Sequence, residues 1–555
     1  MPTTIYDSSL ITQRNREKTI SGSFINRIQS NGYAPRLGIS EQSIINTVTT
    51  GQMTQYRKHE GGEYSNKGCP CSIPSIPLME SYGWIARMFG STTNYGNSLS
   101  TDSTGVYVTG LYSSPITIYD VSGTSHLSLT NTVPYECFIA KYNKNGYALW
   151  ATRISGSDSL YYTTAIVSDL YSNCIYITGI YSPDITIYDS DGTSHLSLPP
   201  GSNYGFIVKY NEDGYALWAT YIDMTGIVTG DSMFEIGSAT DSTGVYIIGF
   251  YSTTISIYNS DGTSSYSLPS IGNDIFIIKY DTDGYVVWAT HINGGSNDAG
   301  YVITTDSTGV YVSGRYSSPI TIYDSNGTSS YSLPSSGYSG FIIKYNNNGN
   351  AVWATRITGV SYNIIYAIVT DSTGVYVSGR FDDSISIYDS NNTLNFSLTS
   401  SGDYDGFIIK YDINGYALWA THIGGGNYDA IYAITIDSTG VYVTGIYFGS
   451  TTVYNKDGSS NFSLTSDGEH DCFIIKYNTD GYALWATHIG GISYDNGFGI
   501  TTDSTGVYVT GSYLDNINIY NSNNQITPVY TLPGSNSYNS FIVKYNRDGI
   551  VIHVE

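Results

Sequence analysis

Short apolar runs follow one another through residues 81–555, each parted from the next by a polar turn. In "FIIKYDINGYALWATHI", residues 407–423, two such runs flank an Asn-Gly. That pairing predicts a tight β-hairpin, because Asn and Gly tolerate the positive φ that the turn demands. Elsewhere the turn reads Asn-Glu-Asp-Gly, Asp-Thr-Asp-Gly or Asn-Thr-Asp-Gly. "YAITIDSTGVYVTGIY", residues 432–447, predicts a second hairpin about an Asp-Ser-Thr-Gly turn. Four core strands per unit result. Between the second and third lies a segment such as "ITIYDSNGTSSYSLPSSG", residues 320–337, which reads as a further short hairpin at the outer edge.

The strands are apolar on both faces. In "YALWATHI" one face carries Ala, Trp, Thr and Ile, and the other Tyr, Leu, Ala and His. A sheet with one wet face would alternate with polar residues, whereas sheets covered on both sides need not. No run keeps a 3.6-residue period, so a helical array is excluded.

The units are counted by three independent markers. Seven tryptophans, Trp84, Trp150, Trp218, Trp288, Trp353, Trp419 and Trp485, stand about 65 to 70 residues apart. Seven Lys-Tyr pairs or their variants begin at Lys141, Lys209, Lys279, Lys344, Lys410, Lys476 and Lys544. Seven turns open at Asp102, Asp169, Asp241, Asp306, Asp371, Asp437 and Asp503, the second with a longer turn in "SDLYSNCIYITG". Seven four-stranded sheets stacked around an axis satisfy this pattern: an all-β, seven-bladed β-propeller. The last unit ends in "FIVKYNRDGIVIHVE", with His553 where tryptophan is expected, and the first begins without a Lys-Tyr strand. The strand at 82–89 is therefore expected beside the C-terminal strands in one composite blade, leaving no open edge.

"DIFIIKYDTDGYVVWATHINGGSNDAGYVITTDSTGVYVSG", residues 274–314, resembles the repeat of the SBBP-type seven-bladed β-propeller family. The resemblance covers residues 81–555 and implies a fold; it implies no shared catalytic chemistry.

Composition adds the rest. The chain has 555 residues, 56 of them Tyr, with 12% charged and a formal net charge of −23. Too aromatic to be disordered, it is also too acidic to favour nucleic acid. Residues 1–80 differ, with 8 Lys/Arg against 6 Asp/Glu and no repeat. They read as an extended arm, with "SEQSIINTV" at 40–48 as a short helix capped by Ser40. Five cysteines, including the close pair Cys69 and Cys71, form neither a disulfide framework nor a zinc motif. No signal peptide and no membrane-spanning run is recognisable. The arm and the Tyr/Asn/Ile-rich composition resemble proteins of large mimivirus-like DNA viruses. That resemblance implies a virion or virus-encoded protein in host cytoplasm, with the arm joining other subunits in an oligomer or particle.

No nucleophile elbow, metalloprotease, P-loop or dinucleotide motif occurs, so no catalytic residue, metal or cofactor is assigned. The seven turn aspartates are read as structural, since Asp opening a turn accepts its backbone N–H groups. The seven tryptophans are read as core. Eight residues before each turn aspartate stand Asn94, Tyr161, Met233, Asp298, Asn363, Asp429 and Asp495. Of these, Asn94, Asp298, Asn363, Asp429 and Asp495 are candidates for one mouth of the central channel. His291, His422 and His488 share a repeat position with Arg153, Arg356 and Tyr221, and this free substitution reads as a solvated or edge site, not a ligand set.

Three functions remain. A non-enzymatic structural or interaction protein, displayed through its arm on a virion or fibre, accounts for most of the features. A glycan- or receptor-binding module would use the tyrosine-rich outer surface. A hydrolase or lyase would use Asp298, Asp429 and Asp495.

Overall fold

A computed structural model describes residues 56–58, 64–66 and 83–551, apart from 157–161, 225–235, 296–297, 336, 360 and 362. The helix expected at 40–48 lies outside the described residues, as does His553. The chain divides into two units, Met1–Ser81 and Tyr82–Glu555. In the first, Tyr56–Lys58 pairs antiparallel with Tyr64–Asn66.

The second unit is all-β, with no helix among the described residues. Five of its sheets have six strands, all antiparallel. One shows the plan. Ala299–Asp306, Gly309–Tyr316, Ser339–Asn346 and Ala351–Gly359 pair in that order. The Asp-Ser-Thr-Gly and Asn-Gly turns sit where the sequence places them. The outer pair, Ser384–Tyr388 and Leu394–Thr399, comes from the following unit.

The hairpin is therefore displaced from its expected sheet. Ile320–Tyr323 and Ser329–Leu333 leave their own unit and pair beside Val286–Asn293 of the preceding one. The physical reason is burial. Ile320 and Ile322 are fully covered in a cluster joining Trp288 and Ile292 of one sheet to Val310, Val312 and Phe341 of the next. Burying such a side chain is worth about 1.5–3 kcal/mol. The core thus lies between sheets, which is why both faces of a strand are apolar.

A ten-stranded sheet arises because Gly440–Tyr454 and Ser460–Tyr477 run unbroken from core strand into hairpin, joining two such units. Another six-stranded sheet draws on both ends of the second unit. Trp84–Gly90 pairs with Asn539–Tyr545, with Trp84 opposite Lys544. The register matches that of Trp150 opposite Lys141 within one unit.

Indoles tie sheet to sheet. Each tryptophan donates its Nε1–H to a carbonyl in the Asn-Gly-type turn of the next unit: Trp84 to Lys144, Trp150 to Glu212, Trp218 to Thr282 and Trp288 to Asn347. Trp353 donates to Ile413, Trp419 to Thr479 and Trp485 to Arg547. The turn glycine lies on the indole face. A methyl at Gly415, whose φ is +81°, would stand 2.8 Å from Trp353 Cε3. Glycine is needed there for both conformation and space.

The first strands are linked by hydroxyls just before the turn aspartates. Thr240 donates to Ser168 O, Thr305 to Thr240 O, Thr370 to Thr305 O, Thr502 to Ile436 O and Thr101 to Thr502 O. Ser168 reaches Ser100. Ile436 has no hydroxyl to reach back towards Thr370.

Candidate functional site

The groups repeated in every unit are engaged in structure. Oδ1 of Asp102 accepts the N–H groups of Thr104 at 2.6 Å and Gly105 at 2.9 Å. Asp169, Asp241, Asp306, Asp371, Asp437 and Asp503 likewise accept the N–H two residues on. Burial works against the Asp102 charge, yet hydrogen bonds from Thr104, Tyr107 and Gly105 hold its carboxyl below the usual range. Oδ2 accepts the hydroxyl of Tyr107, and Lys141 Nζ lies 4.9 Å from that ring's centre. Rather than reaching for water, Lys141 donates to Glu212 O, the same carbonyl that Trp150 uses. Six of the seven tryptophans are at most 9% exposed, while Trp218 is half-buried.

The residues expected at a channel mouth are instead buried ties. Asn94, Asp298, Asn363, Asp429 and Asp495 are at most 2% exposed. Asp298 accepts Gly295 N–H at 2.8 Å and Ser317 N–H at 2.9 Å. Asp429 accepts Gly425 N–H, and Asp495 accepts Gly491 N–H. Asn94 donates to Thr92 O and Asn363 to Tyr338 O. Asn94, Asp298, Asp429 and Asp495 hold the loop entering their own first strand, while Asn363 ties its strand to the loop before a third strand. Tyr161 and Met233 lie outside the described residues. Burial pushes the acids up, Asp298 to about 6, Asp429 to about 8 and Asp495 to about 9.

The cavity between the first strands, about 170 Å³, is lined by residues three and more positions further on. The cause is a β-bulge. The ladder slips by one residue between Gly300 and Val302, Ile365 and Ala367, Ile431 and Ala433, and Gly497 and Gly499. The extra residue, Tyr301, Tyr366, Tyr432 or Phe498, lines the cavity. Asn97 and Ile236 hold the corresponding positions across from them. One half of the wall is thus aromatic. Tyr366 and Tyr432 meet edge to face at 5.3 Å, and Phe498 stands 6.0 Å from Tyr432.

Two arginines stand beside this wall. The Arg315 guanidinium lies 5.7 Å from the Tyr301 ring centre. Arg380 lies 4.8 Å from Tyr404, 5.1 Å from Tyr428 and 5.7 Å from Tyr366. The Nε of each is buried without a hydrogen-bond partner, and neither forms an ion pair among the described residues. Arg380 among aromatic faces presents charge without a fixed counter-ion, whereas the Arg315 charge acts on the Asp298 carboxylate. The site suits stacking and attraction of an anionic or planar group.

The histidine position is no solvated edge. Its side chain lies on a hairpin tyrosine in unit after unit: His291 on Tyr323, His422 on Tyr454, His488 on Tyr520 and Tyr221 on Tyr258. Arg153 lies over Tyr188 and Arg356 over Tyr388. A flat side chain at that position, paired with the Tyr of "ITIYD", is the signal that would have revealed it. On the outer surface, Tyr147, Tyr215, Tyr285, Tyr416 and Tyr482 follow the turns and are each more than a third exposed.

No family model matches the chain. It is 28% identical over 543 residues to an uncharacterised WD repeat-containing protein of Acanthamoeba polyphaga mimivirus, matching 83% of this chain and 38% of that protein. The chain thus spans well under half of that relative's length. Among solved structures it is similar to apo AztD from Citrobacter koseri, with 11% identity, a TM-score of 0.28, and 72% and 97% of the two chains covered. The rhamnogalacturonan lyase YesW is matched at 11% identity and a TM-score of 0.21, covering 72% and 90%. At such scores neither structure carries an argument about function. No helix among the described residues is long and apolar enough to cross a membrane. The all-β repeat and the giant-virus relative together support a repeat propeller.

Proposed function

We propose that this chain is a seven-bladed propeller of the SBBP type, closed by Trp84–Gly90, that serves a giant virus as a non-enzymatic interaction module. Closure is supported by the pairing of Trp84–Gly90 with Asn539–Tyr545 and by the indole bonds, which pass from each unit to the next. The observation that carries the functional reading is a division of labour. Polar groups common to all units are engaged in turns and ties, while side chains that differ between units face the channel and the rim. Asp298, Asp429 and Asp495 are covered by loop backbone. Residues 1–80 act as the arm that joins other subunits in a virion or fibre. The test is deletion of residues 1–80. A folded propeller that no longer enters particles is expected; normal incorporation would sink the reading.

A second reading, recognition of a glycan or receptor, is favoured by the aromatic half-wall and by Arg315 and Arg380. An acidic sugar fits such a surface best. Glycan-array binding lost on Tyr366→Ala and Arg380→Ala would support it, and an array without hits would count against it.

A further inference from the structure

Three units set a buried acid on the third strand diagonally from a histidine on the fourth, which itself lies opposite a phenylalanine: Asp274 near His291, Asp405 near His422, and Asp471 near His488. One of the three has a further donor. Carboxylate oxygens of Asp467 and Asp471 and an imidazole nitrogen of His488 lie within 4.8 Å of one another. The corresponding residue is Ser401 beside Asp405 and Ile271 beside Asp274.

The surroundings are built to hold these groups. His488 is 3% exposed, yet its Nδ1 has no hydrogen-bond partner. Asp471 is fully buried; Oδ2 accepts the Asp467 N–H at 2.8 Å, while Oδ1 has no partner. Unpartnered buried polar atoms are costly and call for an explanation. Tyr520 orients two of the three groups at once. Its ring stacks on His488 at 4.2 Å, and its hydroxyl donates to Asp467 Oδ2 at 2.7 Å. Outer contacts of this kind fix ligands around a metal. Asp467 is exposed and opens the cluster to solvent.

We propose that Asp467, Asp471 and His488 bind one divalent first-row transition-metal cation, with zinc as the natural occupant. Two carboxylates and an imidazole form a mixed oxygen and nitrogen set, which suits zinc better than the all-oxygen preference of magnesium or calcium. Three protein ligands leave a coordination position for water or for a group from a partner. A small closure of the donors would bring them to bonding distance, and Asp467, the exposed member of the three, has the room to make it.

The test uses the full chain with Cys69→Ser and Cys71→Ser, so that thiols of the arm supply no zinc site. After chelator treatment, zinc is titrated by calorimetry with elemental analysis, and cobalt by its visible spectrum. One equivalent per chain and a zinc-dependent rise in Tm are expected. Asp467→Ser, the residue of the sister unit, should weaken zinc binding by about tenfold or more while leaving the metal-free Tm unchanged. His488→Tyr, the residue of another unit, should remove the cobalt spectrum. Zinc bound equally well by Asp467→Ser, no zinc bound at all, or saturable calcium binding in its place would overturn the proposal.

Discussion

Gly415 lies on the indole of Trp353 and Gly481 on that of Trp419, and the same glycine-on-tryptophan contact recurs at every Asn-Gly-type turn. Along the cavity the bulged position is Asn97 in one unit and Tyr301, Tyr366, Tyr432 or Phe498 in others, while Ile236 stands at the same place in a ladder without a bulge. The turn contact is made between units, so changing one member strands its partner in the neighbour. The cavity position faces space shared by all, where a unit can change alone. Repetition therefore marks the ties, and departure from repetition marks the surface free to acquire a ligand.

The comparison breaks most visibly at the ties. Trp419→Ala removes a buried indole and its bond to Thr479, and should cost about 3–5 kcal/mol in chemical denaturation. The half-buried Trp218 should cost distinctly less when cut to Ala. Equal costs would mean that burial does not set the value of the tie.

A pH effect follows from the buried acids. Burial pushes Asp405 up to about 7, and burial with the neighbouring Asp405 charge pushes Asp429 up to about 8. The folded chain holds protons there that an unfolded chain releases near pH 4. Their contribution to stability is complete below about pH 4 and is lost as pH rises through about 7 to 8. Tm should fall between about pH 5 and pH 9, and Asp429→Asn should flatten that fall. Asn94 and Asn363 occupy the same repeat position, so asparagine fits. An unchanged pH profile in this variant would show that the pair is not the source.

On the cavity side, Tyr366→Ala with Arg380→Ala should abolish capture of an acidic ligand while moving stability less than Trp419→Ala does. A larger loss of stability than at the tie would reverse the division drawn above. The smallest effect is expected at the gap in the hydroxyl links. Ile436→Thr restores the missing donor and should stabilise by no more than about 1 kcal/mol, since part of the isoleucine burial is given up. A destabilised variant would mean that packing, not the hydroxyl, governs this position.

Local chemistry made the hairpins legible. An Asn-Gly or Asp-Ser-Thr-Gly turn is decided by a few adjacent residues, and strands, turns and repeat boundaries appear where that chemistry predicts. The outer hairpin was legible as a hairpin, but its sheet was not, because Ile320 and Ile322 find their cover in the preceding unit. The site was less readable still. The repeat position marks where each first strand begins, but it does not show that Asp298 turns into the loop before Ala299–Asp306 or that Tyr301 bulges from the ladder. No sequence feature beyond the run of aromatics at Tyr301, Tyr366, Tyr432 and Phe498 announces that slip.

The hairpin handed backward from unit to unit puts the hereditary repeat out of phase with the folded one. Duplicating or deleting about 66 codons anywhere in the array adds or removes one whole sheet, because every junction it creates joins the same two parts. Trp84–Gly90 would still find the last Lys-Tyr strand waiting. A gained or lost unit would leave every tie intact, so the number of sheets and the chemistry of the cavity wall can vary separately.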